Sequence, residues 1–206
     1  MKPSLGALLD RQLKAPSRIL LVVAALCLVP MYVAPLWNMT MFAPQYPDGL
    51  RLDIYSHKLE GGNHGQDIKE INLLNHYIGM RDLVAEDFTE FKWMPFAIGG
   101  LILLFLRAVV FGKIYNLVDV TALFGYFGLF ALWSFVYKLY RYGHNLAHDA
   151  AVKVPPFTPP IFGHTKMANF DVYSYPALAS YAMMVSGVAL AAALFFGLRD
   201  ALKATA

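Results

Sequence analysis

Met94-Pro-Phe-Ala-Ile-Gly-Gly-Leu-Ile-Leu-Leu-Phe-Leu-Arg-Ala-Val-Val-Phe-Gly112 is apolar from end to end except for Arg107. Only Lys113 and Ile114 separate it from a second apolar run, Tyr115 to Tyr137. A helix rises about 1.5 Å per residue, so about 20 apolar residues cross a hydrocarbon layer about 30 Å thick. Two such runs with so short a link predict an antiparallel hairpin of membrane-spanning helices. Arg107 lies near the end of its run, where a long side chain reaches the headgroups. Asp119 lies close to the start of the next run.

Two further runs flank this hairpin. Ile19 to Trp37 carries no charge and contains Pro30 and Pro35. Its basic start also fits a signal peptide. The run is too long for a typical signal core and no clean small-x-small site follows it, so it reads as an uncleaved anchor. Tyr175 to Gly197 offers Ser180, Ser186 and Gly187 for close helix packing. The expected organisation is a tail at 1–18, spans at 19–37, 94–112, 115–137 and 175–197, outer segments at 38–93 and 138–174, and a tail at 198–206. Composition agrees. The chain is 58% hydrophobic and 15% charged, where a soluble domain is nearer a quarter charged. The class expected is an all-α membrane protein: a four-helix transmembrane bundle with a small mixed cap.

Orientation follows from lysine and arginine. Lys2, Arg11, Lys14 and Arg18 precede the first span, Arg107 and Lys113 flank the tight link, and Arg199 and Lys203 follow the last span. Four spans put these three segments on one side, and short basic segments stay in the cytoplasm. The expected topology has both ends cytoplasmic and the two long segments outside. Segment 38–93 has nine acidic and five basic residues, which suits an external loop. Trp37, Trp93, Tyr137 and Tyr175 would form an outer aromatic belt.

The cap is expected to hold a short β-hairpin, a short helix and a proline-rich strap. Trp37, Met39 and Met41 share one parity, as in a strand leaving the membrane. Ala43 to Gly49 reads as a turn, Leu50 to Leu59 as a second strand, and Gly61 to Gly65 as a second turn. Asp67 is a candidate cap for a helix with an Ile68, Ile71, Leu74 stripe that ends near Gly79. Lys153-Val-Pro-Pro-Phe-Thr-Pro-Pro160 packs four prolines into six residues and favours extended backbone. Such a strap can lie across a partner or over helix ends.

The sequence holds no nucleophile elbow, phosphate loop, dinucleotide fingerprint, zinc-protease or calcium-loop motif. It carries no basic stripe for nucleic acid. Cys27 stands alone in the first span and reads as a small apolar side chain. The remaining chemistry is soft ligation. All six histidines, His57, His64, His76, His144, His148 and His164, fall in the outer segments, with Met39, Met41, Met80 and Met167. Imidazole with thioether suits copper, and thioether favours Cu(I). Met39-x-Met41, His76-x3-Met80, His144-x3-His148 and His164-x2-Met167 are the closest sets. Against this, methionine packs adaptably at apolar interfaces and histidine is tolerated at headgroup level. Haem would need facing histidines within the spans, and no span holds one.

Pro35 to Leu50 (PLWNMTMFAPQYPDGL), Ile71 to Met80 (INLLNHYIGM), Tyr142-Gly-His-Asn-Leu146, Pro156 to Gly163 (PFTPPIFG) and Ala168 to Pro176 (ANFDVYSYP) form a set. Together they resemble a family of small bacterial membrane proteins associated with respiratory gene clusters, including those for nitrous oxide reductase and its copper maturation. The resemblance covers most of the chain outside the spans. It carries over to Pro44, Gln45, Tyr46, Pro47, Asn75, His76, Tyr77, Gly79, Met80, Gly143 and His144. With the one-sided histidines and methionines, it leads to the expectation of a non-enzymatic accessory protein of a bacterial inner membrane that binds or delivers copper on the periplasmic face for a periplasmic or membrane cuproenzyme. The metal ligands expected are His76 and Met80 first, then His144, with Met39 and Met41. Expected partners are the lipid bilayer and other subunits of a respiratory or electron-transfer complex. The alternative is a structural small subunit of such a complex without a metal site of its own. A transporter is the third reading, poorly served by spans with few polar residues.

Overall fold

A computed structural model describes residues 5–167 and 170–203. Lys2 of the basic tail and Ala168 and Asn169 of the last motif lie outside the described residues. Four helices are long and apolar enough to cross a membrane, bounded at Ala15–Tyr32, Glu90–Phe111, Ile114–His144 and Leu178–Lys203. The chain is a multi-pass membrane protein. It divides into two compact units. One takes Met1–Met31, Pro95–Leu129 and Tyr181–Ala206, and the other takes Tyr32–Met94 and Phe130–Ser180.

The first unit is helical. A short helix α1 (Leu5–Leu9) precedes α2 (Ala15–Leu26), and α4 (Glu90–Phe111), α5 (Ile114–His144) and α6 (Leu178–Lys203) each contribute part of their length. Leu21, Ala24, Ile98, Phe105, Leu117 and Ala193 are buried in it. Small residues let the helices approach, as in other membrane bundles. Ser186 Oγ donates to the Ala24 carbonyl at 2.8 Å, and Ser17 Oγ to the Ala193 carbonyl at 3.1 Å. A Cβ on Gly187 would stand 3.2 Å from the Phe124 ring. The three basic segments meet here: Lys14 pairs with Asp200 at 3.3 Å, Lys113 pairs with Asp10, and Arg11 donates to the Ala201 carbonyl at 2.7 Å. Charge counting alone had put them on one side, and the contacts bring them together.

The second unit is built on a five-stranded antiparallel sheet in the order β3-β2-β1-β5-β4. The strands are β1 (Trp37–Ala43), β2 (Tyr46–Ile54), β3 (Leu59–Gly61), β4 (Gly163–Met167) and β5 (Phe170–Pro176), with helix α3 (Gln66–Tyr77) between β3 and α4. A sheet of this size overturns the expected all-α bundle with a two-stranded cap. The strands not expected are β3, which takes Leu59 from the expected second strand and Gly61 from the expected turn, and the β4–β5 pair.

The register explains why the sheet closes. Met39 lies opposite Leu52 on one side and Ser174 on the other, and Met41 opposite Leu50 and Val172. Alternate residues share a face. Met39, Leu50, Leu52 and Val172 therefore point together, and they pack with Ile71 and Leu74 of α3 as one buried core. The expected helix stripe is present, though α3 starts at Gln66 after a left-handed Gly65. Asp67 acts within the first turn, where a carboxylate is favoured. It accepts the Arg51 backbone N–H at 2.9 Å and Asn63 Nδ2 at 2.8 Å.

Two span ends shift accordingly. Trp37 opens β1, and its Nε1 donates to Ser174 Oγ at 2.8 Å. Tyr175 belongs to β5, and α6 begins only at Leu178. Strand pairing claims both residues, because Trp37 and Pro176 are register partners. At the other end of the apolar runs, α5 continues to His144, past the expected Tyr137. Lys138 is accommodated by donating to the Asp87 carbonyl at 2.7 Å and facing Glu90 Oε2 at 3.2 Å.

Candidate functional site

The Asn75-His-Tyr-Ile-Gly-Met80 motif is a helix stop. Helix α3 ends at Tyr77, and Gly79 takes φ +78°. Met80 N–H donates to the Asn75 carbonyl at 2.8 Å and Gly79 N–H to the His76 carbonyl at 3.2 Å. These two bonds and a left-handed glycine make a Schellman cap. Met80 therefore follows the turn, so His76 and Met80 share a cap instead of one helix face. His76 is exposed and Met80 half-buried.

The cap also anchors the segment 145–162, a longer strap that contains the predicted Lys153–Pro160. Ala147 N–H donates to the Gly79 carbonyl at 2.8 Å, and Val152 N–H to the Tyr77 carbonyl at 2.9 Å. Carbonyls at a helix end lack intrahelical donors, and the strap supplies them. A Cβ on Gly79 would stand 2.9 Å from the Ala147 carbonyl oxygen. Further along, Phe157 N–H donates to the Gly143 carbonyl at 3.0 Å, and a Cβ on Gly143 would fall 1.9 Å from the Phe157 carbonyl oxygen. Gly143 is required for this close approach. The strap thus binds its own helix ends, with Pro159 and Pro160 buried.

The other motif residues have equally local duties. Pro44 and Gln45 link Ala43 to its register partner Tyr46 as a two-residue turn. Tyr46 OH donates to the Glu70 carboxylate, joining this turn to α3. That bond, with some burial and the Glu70 charge, raises the Tyr46 phenol above its ordinary range. The same bond, aided by Gln66, holds Glu70 below the usual carboxylate range.

The five expected metal ligands occupy three places. Met39 is 7% exposed within the sheet core, and Met41 packs against the same cluster. Their shared parity is real, and it points into the core. His76 and Met80 belong to the α3 cap. His144 ends α5, stacked on Tyr140 at 3.8 Å, with Nδ1 donating to the Tyr140 carbonyl at 3.0 Å. Among the described residues, no hydrogen bond, ion pair or ring contact joins the side chain of a ligand in one place to that of a ligand in another. Nor, among them, do three or more His, Cys, Asp or Glu side chains gather as a metal group. His164 instead pairs with Asp171 at 2.7 Å and stacks on Tyr173 at 4.5 Å.

That pair belongs to the opposite face of the sheet, which the sequence reading did not single out. Asn38, Thr40 and Phe42 of β1 face the same way as Arg51 and Asp53 of β2, Asp171, Tyr173 and Tyr175 of β5, and His164 and Lys166 of β4. Arg51 pairs with Asp53 at 2.8 Å, and Asn38 Nδ2 donates to Asp53 at 2.7 Å. Phe42 meets Tyr173 edge-on at 5.7 Å. Tyr173 and Tyr175 remain 37% and 42% exposed. The face is polar, cross-linked and aromatic, and it presents rigid side chains of both charges. The period-2 alternation from Phe170 to Tyr175 was the available signal.

No known protein family, curated protein or solved structure matches this chain.

Proposed function

We propose that the protein is a non-enzymatic accessory subunit of a larger membrane complex, and that it holds the water-soluble domain of a partner subunit on the open face of its sheet. The observation that carries this reading is the two-sidedness of the sheet. One face is filled by α3 and the core. The other presents Arg51, Tyr173, Tyr175 and Phe42, residue types enriched where proteins bind proteins. Their internal ion pairs and ring contacts fix the side chains before binding, which lowers the ordering cost of association. The lysine and arginine bias, with the resemblance to bacterial membrane proteins, supports the periplasmic side of an inner membrane for this face. Photo-cross-linking in intact cells tests the reading, with a reactive residue placed at Thr40 or Lys166. A single specific partner band that vanishes with Arg51→Glu and Tyr173→Ala supports it. A chain that cross-links to nothing there, and extracts alone in mild detergent, removes it.

Copper delivery is a second reading, supported by the exposed His76 beside Met80 in one cap. Imidazole with thioether suits Cu(I). A competition titration with the purified chain decides it: unchanged uptake in His76→Ala and Met80→Leu sinks the assignment of these ligands.

A further inference from the structure

A cleft of about 370 Å³ opens on the helical unit, lined by Arg107 and Leu104 of α4 and by Asn116, Asp119, Val120, Ala122 and Leu123 of α5. Its polar groups are unmatched. Asn116 is 5% exposed, and its Nδ2 is buried without a hydrogen-bond partner. A buried donor left unpaired costs free energy, so such groups mark places where a partner belongs. Arg107 touches the Phe111 ring at 5.3 Å. Among the described residues, no ion pair joins Arg107 to Asp119, and the Asp119 carboxylate has no polar partner. The neighbouring cations are already engaged. Arg18 donates to the Leu13 carbonyl and Gln12 Oε1, and Lys113 pairs with Asp10.

The depth is informative. Arg107 precedes the end of α4 by four residues and Asp119 follows the start of α5 by five. At 1.5 Å per residue they lie about 6 and 7.5 Å from the helix ends. The polar layer of a bilayer is roughly 5–8 Å deep on each side. At this depth a charged side chain reaches the lipid headgroups, so a headgroup is the partner within its range. The rest of the lining is apolar, and its Leu123 is 47% exposed, as an acyl-chain contact would require.

We infer that this cleft binds the headgroup of a zwitterionic aminophospholipid. Arg107 would donate to the phosphate, and Asp119 would accept from the primary ammonium, in a cleft whose wall includes Asn116. A group carrying both charges matches a cation and an anion that share one cleft without pairing. This inference is independent of the partner on the sheet. Native mass spectrometry of the purified full chain tests it, after incubation with dioleoyl phosphatidylethanolamine, phosphatidylcholine or phosphatidylglycerol. Phosphatidylethanolamine should be retained in preference to the other two. Asp119→Asn should lower its retention about tenfold, toward that of phosphatidylcholine, whose quaternary ammonium donates no hydrogen bond. Arg107→Gln should weaken both lipids, and Asp119→Glu should keep the preference. Both side chains are exposed, and equal melting temperatures will show that the variants fold. Equal retention of the three lipids, a preference for phosphatidylglycerol, or unchanged retention in Arg107→Gln and Asp119→Asn would overturn the inference. Displacement by inorganic phosphate alone would also overturn it, by assigning the cleft to a soluble anion.

Discussion

The two faces of the sheet are made by the same strands, one residue out of step. Met39, Leu52 and Val172 point to one side, and Thr40, Asp53 and Tyr173 to the other. The closed face is a packing problem solved within the chain. The open face has polar and aromatic side chains that are fixed in place yet reach solvent. The difference teaches that methionine on this strand serves cohesion, while the chemistry available to a partner lies one residue away.

The comparison can be broken most severely at Met39. Met39→Ala should cost about 2–5 kcal/mol by leaving a cavity, whereas Met39→Leu should cost under about 1.5 kcal/mol. Thermal unfolding of the purified protein in detergent measures both. A ligand role for Met39 would make Leu as harmful to copper uptake as Ala. Gly143→Ala should come next, at roughly 1–3 kcal/mol, because a methyl group there meets the Phe157 carbonyl and must push the strap away. Faster proteolysis within 145–162 should accompany the loss. On the open face, Tyr173→Ala should cost about 1–2 kcal/mol through its contacts with Phe42 and His164, less than Met39→Ala, while removing the cross-linked partner. A large drop in melting temperature would show that this face, too, is structural.

The smallest expected effect is a pH response at the link between the hairpin turn and α3. Glu70 is held below its ordinary range by Tyr46, so its contribution is present above the unfolded carboxylate value and is lost as pH falls through the depressed one. Tyr46 is raised, so its contribution is present below its ordinary value and is lost as pH climbs through the raised one. Carbon-detected NMR titration of Glu70 should give a midpoint below that of a free glutamate, and Tyr46→Phe should move it back up. An unmoved midpoint in Tyr46→Phe removes the link.

The spans were legible in the sequence because a bilayer demands long apolar runs. Helix α3 was legible from Ile68, Ile71 and Leu74. The sheet was legible only in its local hairpin, since β1 and β2 are adjacent in the chain. The β1–β5 pairing joins Trp37 to Pro176, and nothing near either residue announces the other. Trp37 and Tyr175 were read as span ends because aromatic residues suit a membrane interface and a strand equally. The candidate ligands on β1 were read from a related signal. Parity correctly put Met39 and Met41 on one face, but parity does not say which face the core will take. Gly79 in the Asn75–Met80 motif was a usable stop signal, and it set the cap that separates Met80 from the helix face.

The pairing of β1 with β5 also sets an order of events during synthesis. Trp37 and its partner Pro176 are 139 positions apart (176 − 37). At 5–20 residues per second, roughly 7–28 s pass between the making of one and the other. The β1–β2 hairpin can close early, but through that interval the far side of β1 is a bare edge, open to pairing with the wrong chain. The central strand of the finished sheet is therefore the one that a nascent chain must shield longest.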